Sequence, residues 1–312
     1  MPELAISASG LRKTFEDVEA VRGLDLRVRP GEMFGLVGPD GAGKTTTIRL
    51  LCGILRPASG TARVLGFDLL SQTDKIKENI GYLSQRFSLY GDLTVDENIE
   101  FFAEIHGVRS YRERREELLE FTRLKPFRRR LAGRLSGGMR QKLALACTLV
   151  HTPRLILLDE PTTGVDPVSR RDFWKILSGL LRQGVTIFMS TPYLDEAERC
   201  SSVGLMAEGR LIASGTPREV KARMKGEIIE VVCADVRRAA EALRASAGRE
   251  EVQVFGDRLH VVVGSAARDA ARIATVLKAA GLGPADWRAV PPSLENVFIS
   301  LLEPGPLEVD HA

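Results

Sequence analysis

The chain has 312 residues, 44% of them hydrophobic and 27% charged, enough for two domains with sizeable cores. A formal net charge of +3 is too small to point to a nucleic-acid partner. Cys52, Cys147, Cys200 and Cys233 lie far apart with no C-x-x-C pair, so reduced, mostly buried thiols are expected; neither a signal peptide nor an apolar run of membrane-spanning length is visible.

In chain order, Leu4 to Ser7 and Leu24 to Val28 read as strands, with Phe15 between them in a polar loop. Such a phenylalanine is either a core anchor or a platform for a nucleotide base. Met33 to Val37 is short and apolar, a buried strand. It leads into Gly38-Pro39-Asp40-Gly41-Ala42-Gly43-Lys44-Thr45-Thr46, which fits G-x-x-x-x-G-K-[ST], and then into Ile48, Leu51, Cys52 and Leu55 at helical spacing. Strand, glycine loop and helix follow in the order the phosphate-binding loop requires. The glycines let backbone N–H groups turn inward, and the helix aims its N-terminus at the same point. Lys44 is expected to reach the β- and γ-phosphates, and the Thr45 hydroxyl to sit on magnesium.

Ile80 to Ser84 is a strand that ends at Gln85. From Leu93 to Leu131 the pattern is mostly helical, and the Arg128-Arg129-Arg130 cluster reads as solvated surface, with acidic headgroups or a partner loop as the alternative. Leu135-Ser136-Gly137-Gly138-Met139 opens another helix, read by itself either as a simple cap or as a second anion site. Leu155 to Leu158 is an apolar strand ending in Asp159 and Glu160, placed to hold magnesium and to polarise a water. After Gly215-Thr216-Pro217 the pattern restarts. Glu227–Cys233, a helix over Val236–Ala245, a hairpin around Gly256-Asp257, a helix over Ala267–Ala280 and a strand over Trp287–Val290 follow, then a helix with Leu294, Val297, Phe298, Leu301 and Leu302 in one stripe. This is a small α+β domain, with the ferredoxin-like arrangement as the candidate fold. His260 alternates with apolar residues and reads as structural.

The phosphate loop, Gln85, Leu-Ser-Gly-Gly at 135 to 138, Asp159-Glu160 and Gly164-Val165-Asp166, in that order, resemble an ABC-type ATPase over residues 3 to 224. Leu89 to Val95 and Tyr193 to Glu198 resemble drug-export members of the ABC-2 type. Asp40, where the family usually has Asn, is similar to the first half of a tandem ATPase. Pro291 to Phe298 is similar to the tail of daunorubicin-resistance-type ATPases. The resemblance implies an α/β P-loop NTPase domain (3–224, helical subdomain about 86–134), a small α+β domain (226–303) and a loose tail (304–312).

It also implies roles. Phe15 stacks on adenine; Gly38 to Thr46 hold ATP; Thr45, Gln85 and Asp159 surround Mg2+; Glu160 is the general base, with Gln85 beside it. Ser136, Gly137 and Gly138 act in trans on the other subunit's nucleotide, and Asp166 lies at the dimer seam. Partners are membrane permease subunits and a second ATPase at the cytoplasmic face of the membrane, with no nucleic acid. One departure stands out: Pro192 occupies the place of the family's histidine and offers neither a side-chain donor nor a backbone N–H. Impaired hydrolysis at this chain's own site is therefore expected, and a heterodimer is favoured over a homodimer. The alternatives from other classes are a soluble ABC protein acting on nucleic acid or the ribosome, and a nucleotide-sensing module.

Overall fold

The computed structural model describes residues 3–85, 89–246, 251–282 and 286–302, so the expected tail lies outside the described residues. By its internal contacts the chain divides into two units, Met1–Ser214 and Gly215–Ala312, ahead of the boundary expected at 224–226.

In the first unit β1 (Ile6–Phe15) and β2 (Val18–Val28) form a long antiparallel hairpin. Both strands extend beyond the short runs legible in the sequence. Phe15 is the last residue of β1, paired with Val18 and 43% exposed, so its expected place in a loop is corrected. The cause of the misreading is local. Gly10 adopts φ 57° and the pairing shifts register at three places along β1, which breaks the alternation that marks a strand. The order then runs β3 (Met33–Val37), α1 (Lys44–Leu51), β4 (Ser59–Val64), β5 (Phe67–Asp68), α2 (Thr73–Asn79), β6 (Ile80–Leu83), α3 (Val95–Ile105), α4 (Tyr111–Phe121), α5 (Gly137–Leu149), β7 (Leu155–Asp159), α6 (Pro167–Arg182), β8 (Thr186–Thr191), α7 (Leu194–Ala197), β9 (Ser202–Ala207) and β10 (Arg210–Gly215).

Two sheets result. One is antiparallel, in the order β2-β1-β4-β5; the other, β10-β9-β3-β8-β7-β6, is parallel from β9 to β6. Their facing side chains share one core in which Phe34 and Phe188 stack with ring centroids 5.3 Å apart. Burial on both faces explains why β3 and β7 read as continuous apolar runs. Parallel pairing also sets Val37 beside Thr191 and Asp159 beside Ser190, so three strand ends open at one edge of the sheet.

The helical stretch holds. Thr94 and Glu97 form a reciprocal capping box at the start of α3. Arg128, expected on a solvated surface, instead reaches Asp96 at 2.8 Å and Glu116 at 2.7 Å, tying α3 to α4. Arg129 and Arg130 are exposed as expected.

The second unit contains α8 (Pro217–Lys221), β11 (Glu227–Val232), α9 (Val236–Ala245), β12 (Glu251–Phe255), β13 (Arg258–Val263), α10 (Ala266–Ala279), β14 (Asp286–Val290) and α11 (Leu294–Leu302). Its β-α-β-β-α-β core, with antiparallel strands in the order β12-β13-β11-β14, is ferredoxin-like. Ile229, Val231, Leu259 and Val261 pack with Leu243 and Ile273 of the two helices. Across the sheet, Asn296 of α11 donates to Gln253 Oε1 at 2.7 Å and meets His260 Nδ1 at 2.9 Å, while His260 Nε2 lies 3.4 Å from Glu230; His260 is a structural residue. The α11 stripe is core only at its start. Leu294 and Val297 are buried, whereas Leu301 and Leu302 are 40% and 44% exposed.

Candidate functional site

The loop from Gly38 to Gly43 exists in this shape because glycine stands where a side chain cannot. A Cβ on Gly38 would lie 2.1 Å from the Met206 carbonyl oxygen; one on Gly43, at φ 102°, would lie 2.4 Å from that of Ala20. The Ala42 carbonyl accepts from Gly209 N–H in the β9–β10 turn at 3.0 Å, so a distant hairpin braces the loop.

Lys44 is 3% exposed and folds back over the loop. Its ammonium donates to the carbonyls of Gly38 (2.8 Å) and Pro39 (3.0 Å) and pairs with Glu160 Oε1 at 3.1 Å. Gln85 Nε2 donates to the other oxygen of Glu160 at 3.0 Å. The Glu160 backbone sits at φ 49° and is held there by its N–H, which donates to Ser190 Oγ at 3.0 Å. Next to it, Asp159 Oδ1 accepts from Thr45 Oγ1 (3.0 Å) and Ser190 Oγ (2.7 Å), while Oδ2 is buried with no partner. Burial pushes the Asp159 carboxyl above the usual carboxylate range. The Ser190 and Thr45 hydrogen bonds pull it back and the Glu160 charge pushes it further up.

These groups border a cleft of about 480 Å³. Asp40 to Thr46, Gln85 and Glu160 line it as expected, together with Pro192, half-buried between the strand end and Tyr193. Gly38 and Asp159, both buried, and Pro39, which is exposed, are not among the lining residues. Phe15 is not among the lining residues, and the Lys13 ammonium lies 5.0 Å from its ring centroid. Ala20, Thr163 and Ser190 were not singled out from the sequence, and Tyr193 only as the start of the Tyr193 to Glu198 resemblance. Ser190 was recoverable, because a serine at the end of a strand paired with β7 lies opposite Asp159.

The Ser136 segment lies elsewhere on the surface and does not line the cleft. Ser136 caps α5 by accepting from Met139 N–H at 3.3 Å, and it and Gly137 are exposed. Gly138 is buried against α6, where a Cβ would meet Ser169 Oγ at 2.2 Å. Asp166 is exposed and caps α6 by accepting from the N–H groups of Val168 (3.1 Å) and Ser169 (2.9 Å). Among the described residues no cluster of three or more His, Cys, Asp or Glu side chains could hold a metal by itself, and no helix is long and apolar enough to cross a membrane.

Comparison with known proteins places this geometry. Residues 21–163 match the ABC transporter family model, and residues 215–302 match the C-terminal domain of DrrA1-3-like ATP-binding proteins. The daunorubicin resistance ATP-binding protein DrrA3 of Streptomyces coeruleorubidus is 37% identical over 96% of both chains. The chain belongs to the ABC transporter ATP-binding proteins of the DrrA type. YbhF of Escherichia coli strain K12, a probable multidrug ABC transporter ATP-binding protein, is 49% identical over 230 residues, which are 72% of this chain and 40% of YbhF. The chain thus spans less than half the length of that relative. A solved ATP-binding subunit of an ABC transporter superposes with a TM-score of 0.64 at 28% identity, covering 71% of this chain and 93% of that one. The ABC ATPase fold of this chain implies nucleotide binding.

Proposed function

We propose that this chain is the ATP-binding and hydrolysing subunit of an exporter, driving separate membrane permease subunits from the cytoplasmic face through ATP-dependent closure of two such domains. The observation that carries the reading is the convergence on one strand edge of a buried lysine, a threonine hydroxyl and two adjacent carboxylates. Lys44 and the loop amides from Gly38 to Thr46 hold the triphosphate. Phe15, exposed at the tip of its hairpin, is the base-stacking residue.

The residues present fit Mg2+. Asp159 Oδ2 is a buried carboxylate oxygen without a partner, and Thr45 Oγ1 and the Gln85 amide oxygen complete a set of hard oxygen donors. When bound, the ion neutralises phosphate charge. Glu160 accepts the proton of the attacking water, and Gln85 orients its carboxylate. Ser136 and Gly137, exposed and away from the chain's own cleft, complete the site of a second ATPase together with Gly138, with Asp166 at the seam.

Pro192 contributes no donor to the cleft wall, so hydrolysis here is slow, and a heterodimer with one strong site is favoured over a homodimer. The names of YbhF and DrrA3 point to drug-like cargo, which the permease would select. Equilibrium ATP binding to Lys44→Ala protein tests the core of the proposal. Binding weakens by about 10²-fold or more if the ammonium carries phosphate charge; binding as tight as that of the unaltered chain overturns it.

A further inference from the structure

Glu196 lies in α7 and is 1% exposed. Two hydroxyls donate to its carboxylate, Thr162 Oγ1 at 2.6 Å and Thr191 Oγ1 at 2.7 Å, one to each oxygen. Thr162 stands two residues past Glu160 and beside the cleft-lining Thr163; Thr191 immediately precedes Pro192 and Tyr193, both in the cleft wall. The contacts continue outward. Tyr193 N–H donates to Thr191 Oγ1 at 3.1 Å, and the Arg170 guanidinium lies 4.7 Å from the centroid of the Tyr193 ring.

The nearest cation to Glu196 is Arg170 Nε at 3.7 Å, too far for a hydrogen bond, and that nitrogen has no other partner. A buried carboxylate held by two hydroxyls and a loose guanidinium is a poor way to gain stability, since an apolar side chain of similar size does as well or better. What the carboxylate supplies is a fixed distance between two loops.

We infer that Glu196 is a positioning residue for hydrolysis, stapling the loop that carries Glu160 to the loop that carries Pro192. The inference rests on the hydrolytic reading above. Ser190 ties the two strand ends at the Glu160 N–H; past that point Pro192 has no donor, and the Glu196 contacts are what join Thr162 to Thr191. Thr191 Oγ1 both donates to Glu196 and accepts from Tyr193, so loss of the carboxylate releases both sides of the staple.

The test uses the full chain as Glu196→Ala, Glu196→Gln and Thr162→Val. Single-turnover ATP hydrolysis, the Kd of a fluorescent ATP analogue and amide hydrogen exchange across 161–166 and 191–196 are measured on each. Gln keeps the volume and can satisfy both hydroxyls, accepting from one and donating to the other. Glu196→Ala is expected to slow hydrolysis by about tenfold or more, leave the Kd within about twofold and speed exchange in both segments together; Thr162→Val does the same to a lesser degree, and Glu196→Gln stays within about threefold of the unaltered rate. An unchanged rate in folded Glu196→Ala protein, a Kd that weakens in step with the rate, or faster exchange in only one segment each overturns the inference. If the unaltered chain does not hydrolyse ATP, the hydrolytic proposal fails by itself, and joint or separate loosening of the two segments still decides whether the staple exists.

Discussion

Replacing Pro192 with histidine probes the position where the resemblance to ABC-type ATPases implies a histidine. The substitution adds a side-chain donor at the cleft wall, where Pro192 shares the lining with Glu160 and Thr163. The backbone there does not depend on the proline ring. Thr191 is anchored to Glu196 at 2.7 Å, and the Tyr193 N–H to the Thr191 hydroxyl at 3.1 Å. Loss of the ring therefore costs stability chiefly through the unfolded chain, about 0.4–1 kcal/mol. A single preorganised donor at a charge-developing site contributes about 10²–10³ in rate, roughly 2.7–4 kcal/mol of barrier. The new imidazole enters a site not evolved around it, and Tyr193 and Thr163 already border the same space. The lower end, a gain of about 10²-fold, is the expected result. Single-turnover hydrolysis with enzyme in excess over ATP reads the chemical step without product release, and a parallel titration confirms unchanged nucleotide affinity. Hydrolysis no faster than in the unaltered chain, with binding intact, refutes the idea that position 192 limits catalysis.

Two further outcomes follow from packing and charge. Asp159 has a carboxyl raised above its ordinary range, chiefly by burial, so its contribution favours the fold below its unfolded value and is lost as pH rises through the folded one. At neutral pH the ionised group is a liability, and Asp159→Asn should raise the melting temperature near about pH 7.5, with the gain shrinking toward about pH 4. A gain that is equal at both pH values contradicts the burial argument. In the Ser136 segment, Gly138→Ala places a methyl 2.2 Å from Ser169 Oγ and should cost about 1–3 kcal/mol in chemical denaturation. Gly137→Ala meets nothing within 4 Å and should be neutral or stabilising; equal losses at the two glycines would show that the α5–α6 contact is not what Gly138 is for.

Much of the architecture was written in local patterns. The phosphate loop, the apolar strands buried on both faces and the hairpin at Gly256-Asp257 each rest on neighbours in sequence, and each appears where periodicity and turn chemistry place it. What escaped depends on partners far along the chain. The β1–β2 hairpin is interrupted by register shifts, so its length is set by the pairing of the two strands with each other rather than by alternation. Arg128 looked solvated because Asp96 and Glu116 are distant in sequence. Glu196 carried no role in the sequence beyond the Tyr193 to Glu198 resemblance, and it is the meeting of the β7 and β8 loops that buries it. The contact division at 214–215 falls ahead of the expected boundary because α8 packs on α11, far along the chain.

The same geometry bears on when Glu160 can act. An ammonium has three N–H donors, and those of Lys44 are divided among Gly38 O, Pro39 O and Glu160 Oε1. The two carbonyls belong to a loop that cannot shift, since Gly38 is wedged against Met206 and the Ala42 carbonyl is tied to Gly209. An incoming phosphate oxygen therefore competes with the Glu160 carboxylate, the one anionic partner of the three. Both side chains are buried, so the exchange of one anion for another costs Lys44 little, whereas leaving it with neither would strand a buried charge. On the proposed function, phosphate binding and release of Glu160 are then a single event. Gln85 remains as the donor on Oε2, and the Ser190 contact holds the strained backbone, so the freed carboxylate keeps its direction toward the cleft. Coupled in this way, the proposed base becomes available only when the triphosphate of the proposed function has taken its place on the lysine.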